Sequence, residues 1–208
     1  MNRLEQNDIR TPSYENPLRI LTSGCLYGLN CGYDGTSYGS HNHLKEIFNS
    51  QLTKIFHFCP EDYAFGTPRP ICDIHDGDGY DVLDGQAKVL TSTGEDWTER
   101  MLKAANEMLE LALSNMVELA ILMDISAACG TQVIYRGGRL SSLKEYQKGP
   151  GVCSALLDRN GIRTISQRDF ASLEIVKSKI INGYQLDKTA IDHHQTEWYK
   201  NYFKSKRS

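Results

Sequence analysis

The sequence predicts an α/β protein with a Rossmann-like, three-layer sandwich, in which helices cover both faces of a mostly parallel sheet. Short apolar segments alternate along the chain with segments of helical periodicity, which is typical of repeated βαβ units. Residues 117–123 form a nearly continuous apolar run, as expected of a strand buried on both faces. The length of 208 residues suits a single domain.

The first half of the chain contains two predicted strands and one helix. Arg19–Thr22 predicts a strand that ends at Ser23-Gly24. His41–Gln51 has apolar residues on one helical face, and Lys54–Phe58 is rich in β-branched and aromatic residues, which predicts a second strand. Gly66–Gly85 is rich in Gly, Pro and Asp and therefore predicts a loop.

The longest helix is predicted over Glu95–Ser114, with Thr93 as its N-cap. Its apolar stripe consists of Trp97, Met101, Ala104, Ala105, Met108 and Ala112. Val117–Met123 predicts the third long strand of the sheet. We therefore expect the long helix to pack against one face of that sheet.

The remaining elements are shorter. Gly151–Asn160 predicts a short helix that Gly161 ends, and Ile162–Ile165 predicts the last strand. Ser172–Ile181 and Ile191–Tyr202 predict two further helices, and the basic segment Lys200–Ser208 predicts a frayed tail.

Composition excludes several classes of protein. The formal net charge of −3 argues against a general nucleic-acid-binding protein, which would be basic. The polar start of the sequence is not a secretory signal, and no apolar run is long enough to cross a bilayer. We therefore expect a cytoplasmic protein without membrane contact. Cytosolic thiols stay reduced, so the six cysteines favour metal binding or chemistry over disulfides.

Three cysteines follow predicted strands. Cys25 comes after the first strand, Cys59 after the second and Cys129 after the third. Because ligands of open parallel sheets bind beyond the carboxyl ends of the strands, these cysteines are expected to converge. The sequence has no C-x-x-C pair. The spacing alone thus leaves both a metal site and three unrelated loop cysteines open.

Seven short blocks occur in a fixed order, and they carry a family resemblance. They are Ser23-Gly-Cys-Leu-Tyr-Gly28, Cys31-Gly-Tyr-Asp-Gly35, Cys59-Pro-Glu61, Thr67-Pro-Arg-Pro70, Gly77-Asp-Gly-Tyr-Asp-Val-Leu-Asp-Gly85, Ser126-Ala-Ala-Cys-Gly130 and Arg159-Asn-Gly-Ile162. Together they resemble the TudS-type thiouracil desulfurase family, formerly a domain of unknown function. The resemblance runs from about Arg19 to Ser166.

The resemblance implies a [4Fe–4S] cluster held by Cys25, Cys59 and Cys129, with one iron that has no protein ligand. It also implies that Glu61 is the acid–base carboxylate and that Ser126 assists it. The implied activity is the non-redox, hydrolytic removal of sulfur from a thiolated pyrimidine, either thiouracil or its nucleotide, to give the oxo base and sulfide.

Two departures from the family pattern affect the site. The family usually has Ser-Pro-Ser-Cys-Gly, whereas this chain has Ser-Ala-Ala-Cys-Gly at 126–130, and the missing proline loosens the turn. The family's Gly-Lys-Leu stretch is replaced by Leu140-Ser-Ser-Leu-Lys144. That wall of the pocket is therefore expected to differ.

The other cysteines are interpreted as structural. We expect Cys31 to be a structural residue rather than a fourth ligand, and Cys72 and Cys153 to be packing residues. The acid-rich segment 73–84 lacks the order of an EF-hand loop, so Asx turns at the pocket rim are favoured over a calcium site.

Charged and titratable residues outside the cysteine blocks have simpler interpretations. Arg69 lies between two prolines and suits either a phosphate or carboxylate ligand or a surface ion pair. His193 and His194 are expected to be solvated.

The domain organisation follows from the extent of the resemblance. Residues 1–18 are predicted to be an N-terminal extension, 19–170 the TudS-like domain, and 171–208 a C-terminal helical extension with a basic tail. Two other functions stay open: a desulfurase of thiouridine in tRNA, which would need a basic surface, and a non-enzymatic metal-binding module. The sequence predicts no oligomeric state.

Overall fold

The structure is a computed structural model that describes residues 4–37, 41–139 and 144–204. The strands are β1 (Leu18–Ser23), β2 (Thr53–Phe58), β3 (Cys72–His75), β4 (Lys88–Thr91), β5 (Leu119–Leu122), β6 (Val133–Tyr135), β7 (Tyr146–Lys148) and β8 (Arg163–Ser166). The α-helices are α1 (Gly24–Tyr27), α2 (Lys45–Phe48), α3 (Pro60–Phe65), α4 (Gly79–Leu83), α5 (Thr98–Ser114), α6 (Val152–Arg159), α7 (Phe170–Ile180) and α8 (Glu197–Lys204). Short 3-10 turns cover Gln6–Asp8, Asn42–Leu44 and His193–Gln195.

A four-stranded parallel sheet in the order β2-β1-β5-β8 forms the centre of the molecule. Strand β1 pairs with β2 over its whole length and with β5 through residues 20–22. Strand β5 pairs with β8 along all four of its residues. The predicted α/β class and the parallel sheet are confirmed.

Alternate side chains of the central strands point into two different cores, as the pleat of a strand requires. Ile20 and Ile121 contribute to the core that also contains residues of α2 and α7. Leu21 and Leu122 contribute to the opposite core, which contains residues of α5 and α6. Helices therefore cover both faces of the sheet, which is the predicted three-layer arrangement.

Helix α5 confirms the predicted apolar stripe, but the predicted cap is wrong. All six residues of the stripe are buried. The helix begins at Thr98, where the backbone N–H bonds to Asp96 Oδ1, and Thr93 instead bonds to the side chain of Thr91. Residues 91–94 form a turn, in which the Gly94 N–H donates to the Thr91 carbonyl oxygen, and Asp96 then bridges to Leu90 of β4 before the helix begins.

The predicted loop Gly66–Gly85 is wrong in two places. Cys72–His75 forms strand β3, which pairs antiparallel with β4. Asp78 is the N-cap of α4, since its carboxylate accepts hydrogen bonds from the backbone N–H groups of Tyr80 and Asp81. The strand depends on a distant partner, and a capping Asp has the same local signature as a turn Asp.

Most of the other predicted elements are confirmed within a few residues. The helix predicted at His41–Gln51 is a 3-10 turn followed by the short α2. The antiparallel pair β6–β7 was not predicted. Of the replaced stretch Leu140–Lys144, residues 140–143 lie outside the described residues, and so do residues 205–208 of the basic tail. No described helix is long and apolar enough to span a membrane.

Candidate active site

A cavity of about 460 Å³ lies beyond the carboxyl ends of β1, β2 and β5. Cys25, Cys59 and Cys129 all line it, together with Glu61 and Ser126. The rest of the wall consists of Ser23, Cys31, Tyr33, Pro60, Arg69, Ile71, Cys72, Met123, Asp124, Ile125, Ala128, Tyr135, Arg139, Tyr146, Arg168 and Trp198. The structure therefore brings together every site residue predicted from the sequence.

Cys25 lies on α1, immediately after β1, and is buried. The residue before it is closely surrounded: a Cβ at Gly24 would lie 3.3 Å from Cys59 Cβ and 3.5 Å from Cys31 Sγ, which is tight for a side chain. The Ser-Gly-Cys block thus allows the first two cysteine segments to approach each other.

Cys59 directly follows β2 and is the N-cap of α3, where its Sγ accepts a hydrogen bond from the Asp62 N–H at 3.4 Å. Pro60 lies in the first turn of the helix, where a backbone N–H has no partner within the helix. The lack of an N–H in proline is therefore tolerated there. Glu61 follows in the same turn, so the Cys-Pro-Glu block sets the cysteine and the carboxylate side by side on one rigid helix start.

Cys129 lies on the loop that follows β5, and serine hydroxyls hold both its backbone and its thiol. Ser126 Oγ accepts hydrogen bonds from the N–H groups of Ala128 at 3.2 Å and Cys129 at 3.1 Å. Ser23 hydrogen-bonds the Cys129 thiol. Gly130 is required because a Cβ there would lie 2.7 Å from the Ser126 carbonyl oxygen.

The same loop is organised around the buried carboxylate of Asp124. Its Oδ1 accepts hydrogen bonds from the N–H groups of Thr131, Gln132 and Val133 at 3.1 to 3.4 Å. Ile125 adopts a left-handed conformation with φ of 57°, which is costly for a β-branched residue. The backbone of the loop is thus strained at Ile125, the residue before Ser126.

Glu61 is held at both carboxylate oxygens. Arg69 Nη2 donates to Oε2 at 3.1 Å, and Ser126 Oγ donates to Oε1 at 3.2 Å. The Arg69 side chain is only 3% exposed, whereas that of Glu61 is 18% exposed. Arg69 therefore forms a buried pair with the predicted acid–base carboxylate, and the predicted alternative of a surface ion pair is wrong.

The remaining cysteines differ in their relation to the cavity. Cys31 lines it, and its thiol hydrogen-bonds with those of Cys25 and Cys59. Cys72 is part of a core and also borders the cavity. Cys153 is fully buried in the same core and is not among the lining residues.

Three thiols of the cavity, those of Cys31, Cys59 and Cys129, have raised pKa values. The hydrogen bond with Cys25 is the main cause that raises the pKa of Cys31, to about 11. Hydrogen bonding with Cys31, followed by burial, raises the pKa of the Cys59 thiol well above its usual value. Burial does the same for Cys129. All three thiols therefore keep their protons at neutral pH.

Comparison with known proteins decides the family. The sequence model of the 2-thiouracil desulfurase family matches residues 20–169. The chain belongs to this family. The matched region contains all of the predicted site residues and ends just before α7.

Two relatives support the assignment to the 2-thiouracil desulfurases. The uncharacterized protein YbbK of Bacillus subtilis (strain 168) is 37% identical over 151 residues, which are 72% of this chain and 96% of YbbK. The solved structure of TudS, described as a [4Fe-4S]-dependent thiouracil desulfidase, matches with a TM-score of 0.57 and 30% identity. That match covers 72% of this chain and 90% of TudS.

The donors of this cavity are of the type that an iron–sulfur cluster takes, because thiolates are the soft ligands of such clusters. A tetrahedral zinc site, with Zn–S distances of about 2.3 Å, brings its sulfurs within roughly 4 Å of one another. Among the described residues, the three ligand atoms that lie within 4.8 Å of one another belong to Asp169, Asp192 and His194, not to cysteines. At least one pair among the thiols of Cys25, Cys59 and Cys129 is therefore more than 4.8 Å apart, and this spacing is compatible with a group larger than one ion.

Sequence reasoning missed the part of the desulfurase cavity that comes from the C-terminal segment. His193 is 3% exposed, and its Nδ1 lies 2.6 Å from Asp124 Oδ2, so the prediction that it is solvated is wrong. Trp198 borders the cavity beside Tyr146. The only available signal was the density of aromatic residues around Trp198, because the family blocks end earlier in the chain.

The acid-rich segment 73–84 has a different role from the predicted rim of turns. Asp73 is buried and pairs with Arg139, which lines the cavity. Asp78 caps α4 and does not line the cavity.

Proposed function

We propose that the protein is an iron–sulfur-dependent desulfurase that hydrolyses a thiolated pyrimidine, thiouracil or its nucleotide, to the oxo base and sulfide. The observation that carries the proposal is the shared cavity, in which thiols from three distant segments lie beside a carboxylate fixed by Arg69 and Ser126. The family match and the likeness to TudS support it.

In this proposal Cys25, Cys59 and Cys129 hold a [4Fe–4S] cluster through their thiolates. When bound, the cluster supplies an iron without a protein ligand, which is a Lewis acid suited to a soft thiocarbonyl sulfur. The three ligands are fixed by the N-termini of the short helices that follow β1 and β2 and by the loop that follows β5. The chain thereby positions the cofactor at the closed, cysteine-lined end of the cavity.

Glu61 is the proposed acid–base group. Its carboxylate accepts a proton from the attacking water and delivers a proton to the pyrimidine ring nitrogen, as a positioned general base and acid does. The two fixed hydrogen bonds set its direction before substrate binds, which lowers the cost of reorganisation. Overall, water replaces the sulfur at the ring carbon and hydrogen sulfide leaves, so the reaction needs no electron donor.

Ser126 and Arg69 have supporting roles in this proposal. The Ser126 hydroxyl donates its hydrogen to Glu61 while its oxygen accepts the backbone N–H of Cys129. It therefore links the carboxylate to the segment of a metal ligand. Arg69 compensates the negative charge of Glu61 in a half-buried position.

Anaerobic purification followed by a visible spectrum and iron and acid-labile sulfide analysis tests the cofactor. Incubation with 2-thiouracil, followed by chromatography for uracil and assay of sulfide, tests the reaction. Cys129→Ala is expected to remove both the cluster and the turnover, whereas Cys153→Ala, a cysteine away from the cavity, should keep both. A protein that holds only zinc and releases no sulfide would refute the proposal.

A further inference from the structure

Helix α8 lies beyond residue 169, where the family match ends, yet it supplies Trp198 to the cavity. The cysteine end of the cavity is buried, with Cys129 5% exposed, whereas Trp198 is 41% exposed. Trp198 therefore belongs to a solvent-exposed part of the wall of the same cavity.

The helix is attached to the β6–β7 pair that forms another part of the wall. The Tyr202 hydroxyl accepts a hydrogen bond from the Tyr146 backbone N–H at 2.8 Å. The Lys148 ammonium lies 5.3 Å from the ring centroids of both Tyr199 and Phe203. These contacts fix the position of α8 over the strands.

The indole of Trp198 is itself held in one orientation. The His193 ring lies nearly parallel to it, with 5.4 Å between centroids and 10° between planes, and Tyr202 stacks at 5.6 Å and 15°. Tyr146 meets it edge-on at 5.4 Å. A side chain fixed in this way presents a rigid surface to a ligand at little cost in conformational entropy.

His193 ties this arrangement to the chemistry at the buried end. Its Nδ1 lies 2.6 Å from Asp124 Oδ2, and Asp124 holds the loop that carries Ser126 and Cys129. The C-terminal segment thus contributes twice to the site: Trp198 lies on the exposed part of the wall, and His193 supports the loop that carries Ser126 and Cys129.

We propose that Trp198 is a specificity-determining residue, whose exposed indole edge contacts a bound pyrimidine and limits the size of the group on the ring atom opposite the sulfur-bearing carbon. This inference rests on the proposed desulfurase function. A fixed aromatic ring suits a planar base, because edge-to-face ring pairs, like stacked ones, contribute beyond their buried area. When the sulfur on C4 faces the cysteines, N1 is the opposite ring atom, and the indole would obstruct a bulky substituent there.

The test compares 4-thiouracil with 4-thiouridine, which carries ribose on N1, the ring atom opposite the sulfur-bearing C4, as substrates of the anaerobically purified full-length protein. Trp198→Ala is expected to lower kcat/KM for the free base roughly 3- to 10-fold. The same substitution should lower kcat/KM for the nucleoside by a smaller factor, or raise it. Trp198→Phe should shift the ratio in the same direction but by less, and Asn201→Ala, an exposed position on the same helix outside the cavity, should leave it unchanged.

Binding of uracil, measured by calorimetry with the same proteins, separates this inference from the proposed function. If the wild-type protein turns over both substrates and Trp198→Ala leaves their ratio unchanged, the role of Trp198 is refuted and the function stands. If the wild-type protein binds uracil without turnover and Trp198→Ala weakens that binding, the function is refuted and the contact stands. Absence of both binding and turnover overturns both. Iron content and thermal midpoint, unchanged in Trp198→Phe, exclude a purely structural effect.

Discussion

Glu61 illustrates how a single carboxylate acquires a defined direction. Arg69 holds one of its oxygens and Ser126 the other, so the carboxylate faces the cavity in a fixed plane. The sequence could predict this residue only through the family block. The pairing of Glu61 with Arg69 depends on a loop eight residues further along the chain. The local sequence predicts neither the burial of Arg69 nor the direction of its side chain.

Replacing Glu61 with Gln should remove most desulfurase activity and leave the cluster spectrum intact. The amide cannot exchange protons, and general acid–base groups typically contribute on the order of 10²- to 10⁴-fold in rate. Glu99→Gln is the matched control, because Glu99 is an exposed carboxylate on α5 outside the cavity wall. Steady-state kinetics and the visible spectrum measure the two effects. Loss of the cluster in Glu61→Gln would make Glu61 a structural residue.

Ser126→Ala should lower turnover by less than Glu61→Gln does and leave the iron content unchanged. The alanine removes the donor to Glu61, and a hydrogen bond to a charged group is worth about 1.5–3 kcal/mol, or roughly 10- to 150-fold. Ser126→Thr keeps the hydroxyl and should recover part of the rate. An unchanged rate in Ser126→Ala, measured anaerobically at saturating 2-thiouracil, would reduce Ser126 to a turn residue.

The loop between β5 and β6 shows at the scale of an element why some structure could be predicted and some not. The strand before it was predicted because its residues are apolar on both faces, and Ser126 and Cys129 were placed by their block. Asp124 was not recognised, because a carboxylate that binds three backbone N–H groups and a histidine from a distant helix has no local pattern.

Asp124→Ala tests whether this loop holds the site together. The substitution leaves buried backbone donors without an acceptor, and loss of a buried charged partner costs about 3–5 kcal/mol. We expect a fall of that size in the free energy of unfolding, measured in urea, together with a lower ratio of iron to protein. Asp158→Ala, an exposed carboxylate on α6 that bonds to Tyr80, should change neither quantity. A wild-type iron ratio in Asp124→Ala would show that the loop does not depend on this residue.

Elements whose stability is local were predicted better than those that need a distant partner. Helix α5 carries its apolar stripe within 17 residues, so its periodicity was sufficient. Strand β3 is four residues long within a Gly- and Asp-rich segment, and only its pairing with β4 makes it a strand. Helix α8 was likewise predicted from its local sequence. The position of its Trp198 depends on tertiary contacts and was not predicted.

At the scale of the whole molecule, the site joins segments that are far apart in the chain. Cys25 and Cys59 are 34 residues apart, and Cys129 is another 70 residues on. A cofactor that binds all three only in the folded protein stabilises the native state by mass action. The fold supplies the convergence, because β1, β2 and β5 are parallel and neighbours in one sheet.

This stabilisation should increase with pH. Hydrogen bonding with Cys31 raises the pKa of the Cys59 thiol, and burial raises that of Cys129, so both are protonated at pH 7 in the cluster-free protein. Ligation requires thiolates and therefore releases at least these two protons, which a lower proton concentration favours. Two protons correspond to about 2.7 kcal/mol per pH unit while both thiols remain protonated.

The difference in thermal midpoint between cluster-loaded and chelator-treated protein should therefore grow between about pH 7 and 8.5. Cys153→Ala should retain this dependence and Cys129→Ala should lose it, whereas a difference that stays constant with pH would contradict ligation by these protonated thiols.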